Sequence, residues 1–191
     1  HRKRRQDALQ HTTKEGAKEK RPIICQCSSI GSLTDKYLHE LQASMDTGLA
    51  RETKQSVSDA PMRLQLVYPT IVEIRHSIEG YRGGGSVPGT TKNVSKLFLQ
   101  SLYRKWSSSS SSSSVAATST AMPNPLWKSR NVPHIKTYYQ LNHEGCSMDW
   151  FVVASHNMSK AAWSEVQNSS RHGSRRLFVR HWELGVFMSP Q

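Results

Sequence analysis

The chain has 191 residues, long enough for one domain with a buried core, while its 36% hydrophobic content is low for a compact domain and implies that several segments stay solvated. Lysine and arginine outnumber acidic residues 26 to 14, a net charge of +12 that favours a polyanionic partner: DNA, RNA or an anionic membrane surface. No stretch approaches the roughly twenty apolar residues of a membrane span, and no charged segment followed by an apolar one marks a secretory signal.

Residues 1–20 read as a basic lead-in. Within 1–21 there are eight Lys or Arg against three acids, and the segment is read as a DNA contact, an import signal or a solvated arm. The first residue is His1 rather than Met, so the sequence reads as a segment of a longer protein or as an incomplete gene model. Pro22 to Cys27 has strand character. Ser28-Ser29-Ile-Gly31-Ser32 then turns into a helix carrying Tyr37, Leu38 and Leu41. Small residues at such a turn let backbone amides approach an anion. Residues 44–61 read as a polar loop and Leu64–Tyr68 as a strand. Thr70 and Glu73 form a capping box for a helix expected to run to Gly80. A glycine-rich loop follows from Tyr81 to Gly89. Val94, Leu97, Phe98 and Leu102 lie at helical spacing, so Val94–Trp106 is expected to be one helix with those residues in the core.

Ser107 to Ser114 is unbroken serine, and 107–124 reads as a flexible insertion that buries too little apolar surface to offset its ordering entropy. Strands are expected at 133–139 and 149–154, a helix capped by Ser159 from Lys160 to about Gln167, and closing strands at Arg176–Val179 and Trp182–Met188. Strands alternating with helices predict an α/β sandwich with a mixed sheet. Cys25 and Cys27 lie on one strand face without zinc-finger spacing and are expected to be buried thiols. The nine histidines form no ligand cluster, so neither a metal nor another cofactor is expected.

His134 and Lys136 are two apart on an expected strand and therefore point to the same side. An imidazole that titrates near neutral pH beside a cation is suited to holding a phosphate and moving a proton. Asn157 follows the apolar run Trp150–Ala154, which would bring its amide to the same rim. His134-x-Lys136, then twenty residues, then Asn157 and Ser159, resembles the second H-x-K-x(n)-N motif of the tyrosyl-DNA phosphodiesterases, members of the phospholipase D superfamily. Most of that superfamily carries Asp where Asn157 stands. Gln26-Cys-Ser-Ser-Ile-Gly-Ser-Leu33, Tyr68-Pro69, Ser77-Ile-Glu-Gly-Tyr81, Lys105-Trp106 and Trp182-Glu-Leu-Gly-Val186 match in order, so the resemblance spans residues 21–190.

The resemblance implies a phospholipase D-like α-β-α half-domain that pairs with a second, N-terminal half about a pseudo-two-fold axis. It implies a nuclear DNA-repair hydrolase acting on DNA 3′ ends linked to tyrosine or to a topoisomerase I peptide, through a phosphohistidine on the other half. His134 would be the general acid and base, Lys136 and Asn157 donors to phosphate oxygens, and Glu183 the residue that orients the other half's histidine. Glu183 also reads as a strand carboxylate paired with Arg180 or His181. Ser28, Ser29, Ser32, Lys96, Ser159 and Ala161 would lie along the DNA strand. Of the two H-x-K tripeptides in the sequence, His1-Arg2-Lys3 lies in the basic lead-in with no Asn before Asn93, and only His134-x-Lys136 has the spaced Asn. His156 stands where the family has small residues.

Overall fold

A computed structural model describes residues 21–46, 60–106, 130–142, 144–168 and 175–190. The readings made for the basic lead-in, for the serine-rich insertion and for most of the 44–61 loop fall outside these residues.

The centre of the fold is a six-stranded mixed sheet. β1 (Ile23–Gln26), β2 (Leu64–Val67), β3 (Tyr103–Arg104), β4 (Lys136–Leu141), β5 (Met148–Ala154) and β8 (Gly185–Met188) lie in the order β3-β2-β1-β4-β5-β8. β1, β2 and β3 pair in parallel, and the remaining pairs are antiparallel. β6 (Glu165–Asn168) and β7 (Arg175–Phe178) form a separate two-stranded ribbon. This is the mixed α/β architecture expected from the sequence.

Alternation fixes the core. Ile23 and Cys25 on β1, Leu64 and Leu66 on β2 and Tyr138 on β4 are all buried, with Cys25 opposite both Leu66 and Tyr138. α1 (Asp35–Met45) covers this face with Tyr37, Leu38 and Leu41. Each fully buried Leu or Ile contributes roughly 1.5–3 kcal/mol. Thr34 caps α1 by accepting from the Tyr37 amide at 3.2 Å. Gln42 ties its far end to the entry of β2, donating to the Pro61 carbonyl and accepting from the Arg63 amide. Cys25 and Cys27 are free buried thiols, and loss of hydration pushes Cys27 up to about 12. No helix among the described residues is long and apolar enough to cross a membrane.

Three expected helices are shorter than the sequence suggested. The capping box at Thr70 and Glu73 forms, but α2 (Ile71–Arg75) stops five residues before Gly80. It buries nothing, with Ile71 76% exposed, so packing gives it no reason to lengthen. The Ser77 hydroxyl donates to the Ile74 carbonyl, and the Ile78 amide is taken by Arg130. A 3₁₀ segment, Gly80–Ser86, replaces much of the expected loop.

Val94–Trp106 is two short helices, α3 (Thr91–Val94) and α4 (Leu97–Gln100), followed by β3. Lys96 adopts extended backbone at the break. The open edge of β2 recruits the rest, as the Leu66 amide donates to the Leu102 carbonyl at 2.8 Å. Leu97 is consequently 89% exposed, and Leu99 takes its place in the core. α5 (Lys160–Trp163) ends at Ser164, whose φ of 79° turns the chain into β6 where helix was expected to continue to Gln167. The last strand begins at Gly185 rather than Trp182, because the Leu184 amide donates to the Ser155 hydroxyl at 2.9 Å.

Candidate active site

Two segments distant in sequence are laced together at the ends of β1 and β5. Ile30 and Met158 form a parallel bridge, with the Gly31 amide donating to the Met158 carbonyl at 2.9 Å and the Met158 amide to the Ser29 carbonyl at 3.2 Å. Asn157 Oδ1 accepts from the Ser28 amide at 3.1 Å, the Ser29 amide at 3.0 Å and the Ser28 hydroxyl at 3.2 Å. Backbone N–H groups need an acceptor, which assigns the oxygen to that side and leaves the NH₂ group as the donor on the other.

The contact depends on Gly31. A Cβ added there would lie 2.7 Å from Ser159 Cβ and 3.3 Å from Ser159 Cα. Gly31→Ala should therefore push the two segments apart and destabilise the domain by about 1–3 kcal/mol. A denaturant midpoint equal to that of the unmodified protein would show that they separate without cost.

His134 precedes β4, and its exposed ring stands at the surface beside Lys136, the first residue of that strand. Lys136 is only 5% exposed. Its ammonium lies 3.4 Å from each ring nitrogen of His134 and donates to the His134 carbonyl at 2.5 Å. Burial lowers the Lys136 ammonium from its ordinary range, and the Glu183 carboxylate opposes that shift through space. Behind the pair, the buried Tyr138 donates to the His156 carbonyl at 2.7 Å and accepts from Trp163 Nε1 at 3.3 Å. The His156 ring packs on Trp163, with centroids 4.7 Å apart. The strand carrying Lys136 and the turn carrying Asn157 are thereby fixed to one another.

An open cleft of about 450 Å³ is lined by Ser29, Ser32, Asn157, Ser159, Ala161 and Glu183, which unites six of the residues singled out in the sequence. Ser28 lies buried beneath it, bonded to Asn157. His134 and Lys136 are outside its lining, although Lys136 feels the charge of Glu183. The Ser159 hydroxyl caps α5, accepting from the Ala162 amide at 3.2 Å. Lys96 is also outside the lining, and its ammonium donates to the Leu33 carbonyl at 2.6 Å. One Glu183 oxygen accepts from the Ser155 hydroxyl, and the other faces His181 Nδ1 at 3.5 Å.

Sequence reasoning gave no place in the cleft to Lys160, Glu165, Phe178, Arg180 and His181. The available signal was the pair Arg180-His181, which the strand pattern placed beside Glu183. Lys160 is compensated by Glu165 at 3.1 Å, while the Arg180 guanidinium lies over the Phe178 ring, 5.5 Å from its centroid. No group of three or more His, Cys, Asp or Glu that could hold a metal ion occurs among the described residues.

The fold and this geometry define a class: an α/β domain presenting an imidazole, a desolvated ammonium and an oriented carboxamide near an open cleft. Residues 3–191 match the family model described as tyrosyl-DNA phosphodiesterase, and the chain belongs to that family, whose members are phosphodiesterase hydrolases. Tyrosyl-DNA phosphodiesterase 1 of Arabidopsis thaliana is 34% identical over 88% of this chain and 24% of its own length. A probable tyrosyl-DNA phosphodiesterase of Caenorhabditis elegans is 30% identical over 90% of this chain and 34% of its own. The solved yeast tyrosyl-DNA phosphodiesterase aligns with a TM-score of 0.46 and 16% identity, over 88% of this chain and 39% of that one. The chain thus spans about a quarter of the length of the first of these curated relatives and about a third of the second.

Proposed function

We propose that this chain supplies the general acid/base half of a DNA-repair phosphodiesterase that removes tyrosine or topoisomerase I peptide from DNA 3′ ends in the nucleus. The observation that carries the reading is the Lys136 ammonium held 3.4 Å from both nitrogens of His134 in a member of this family. A histidine of a second, N-terminal half-domain attacks phosphorus. The bond from phosphorus to the tyrosyl oxygen breaks, and that oxygen takes a proton from the His134 imidazolium. His134, now neutral, removes a proton from water. The resulting hydroxide attacks phosphorus, the P–N bond breaks, and DNA with a 3′-phosphate leaves.

Lys136 and the Asn157 NH₂ donate to the non-bridging oxygens, whose charge rises in the five-coordinate transition state. Glu183 orients the incoming histidine by accepting from its Nδ1–H. The hydroxyls of Ser29, Ser32 and Ser159 and the net charge of +12 support a DNA strand lying along the cleft.

The test is cleavage of a 3′-phosphotyrosyl oligonucleotide by residues 1–191 alone and by the full-length protein. Turnover by the full-length protein only is the expected result, because the sequence of 1–191 holds a single H-x-K followed by the spaced Asn of the motif. Robust turnover by 1–191 as a monomer would sink the division of labour. No turnover by either would sink the function.

A further inference from the structure

Glu183 presents its two oxygens to different partners. The Ser155 hydroxyl donates to one, and the same hydroxyl accepts from the Leu184 amide, so this end is built into the backbone. The other oxygen lies 3.5 Å from His181 Nδ1, which is too long for a strong hydrogen bond but within ion-pair range when the ring is protonated. The carboxylate side chain is 13% exposed and the imidazole 58% exposed, so His181 is free to exchange protons with solvent while Glu183 is largely withdrawn from it. The His181 amide donates to the Ala161 carbonyl at 3.0 Å, which anchors the residue in the cleft wall.

We propose that His181 is a positioning residue for Glu183. Its protonated ring holds the carboxylate oxygen that Ser155 does not bind, and its neutral ring releases that oxygen. The other charged groups lining the cleft do not duplicate the effect. Lys160 on α5 is occupied by Glu165 on β6, and Arg180 lies over Phe178. Lys136 on β4 acts on Glu183 as a fixed positive charge through space. His181 is thus the contact of Glu183 that exists in both a neutral and a protonated form. The consequence rests on the function proposed above, in which the released oxygen receives the imidazole of the opposite half. Two imidazoles then compete for one oxygen, and acidification favours the one already in this chain.

The experiment is the pH profile of kcat for the full-length protein on a 3′-phosphotyrosyl oligonucleotide, with wild type, His181→Asn and His181→Lys. Exposure of the His181 side chain keeps either substitution compatible with the fold, and a thermal melt confirms it. His181→Asn should retain several-fold more of its neutral-pH activity at pH 5.5 than wild type does. His181→Lys, a cation throughout the range, should reduce kcat several-fold at pH 7.5. Profiles for both variants that superimpose on wild type would overturn the positioning role while leaving the phosphodiesterase reading intact. Absence of cleavage by wild type at every pH would instead overturn that reading, and with it the basis of this one.

Discussion

Replacing His134 by Asn in the full-length protein should make a covalent protein–DNA adduct accumulate. The first step needs a proton for the departing tyrosyl oxygen, and a positioned imidazolium contributes roughly 10²–10⁴-fold. The second step needs a base for water, and no better leaving group substitutes for that. A slow-migrating species on a denaturing gel, enriched in the variant, is the expected observation. A substrate with a more acidic phenol should restore formation of the adduct more than its breakdown. Equal losses with good and poor leaving groups, and no adduct at any time, would reduce His134 to a phosphate ligand. Lys136 gives a second phenotype. The lysine is desolvated, with its ammonium on the His134 carbonyl, so Lys136→Met should relieve a buried charge while removing a donor to phosphate.

Asn157 separates structure from chemistry in a single position. Asn157→Ala removes the acceptor used by the Ser28 and Ser29 amides and the Ser28 hydroxyl. Leaving those donors without a partner should cost about 1–3 kcal/mol, read as a lower denaturant midpoint. Asn157→Asp keeps an acceptor for the same three donors, so its midpoint should stay within about 0.5 kcal/mol of wild type. It exchanges the NH₂ donor for an anionic oxygen facing the phosphate, and kcat/KM should fall about 10²–10³-fold. Equal destabilisation by both substitutions would mean that the lacing at Ser28 and Ser29 does not hold the segments. Full activity in Asn157→Asp would remove the carboxamide from the transition state.

The sheet and the order of the site segments were legible because they depend on local pattern. The short apolar runs at Ile23–Cys27 and Trp150–Ala154 and the alternation in Leu64–Val67 mark strands whichever partners they find. The capping box at Thr70 was equally local, and it formed. What failed was helix length, which tertiary competition sets. Leu97 and Leu102 satisfy a helical stripe, yet the vacant edge of β2 offers Leu102 and Arg104 better backbone partners than another helical turn would. At the site, spacing paired His134 with Lys136 on one strand, whereas the strand begins only at Lys136 and the His134 ring meets the ammonium from the segment before it. Asn157 was placed by the strand before it. The role of the Asn157 oxygen was not readable, since its partners lie on another segment. His181 was visible only as a neighbour of Glu183, because whether an imidazole reaches a carboxylate across one residue depends on where the strand starts.

The bonds from Ser28 and Ser29 to Asn157 join residues 129 and 128 positions apart. Closing so long a loop costs only a slowly growing entropy, about (3/2)RT ln n, but it has to be completed before any of those bonds repays it. β1 has to find β4 from the far side of the chain before Asn157 is oriented at all. Until that closure, the histidine and the carboxamide are ordinary solvated side chains on separate stretches of polypeptide. The arrangement of the half-site therefore depends on the topology as a whole, and a chain cut before Asn157 lacks the carboxamide that joins the two segments. On the function proposed above, completion of this fold comes before any contribution of this half to the reaction.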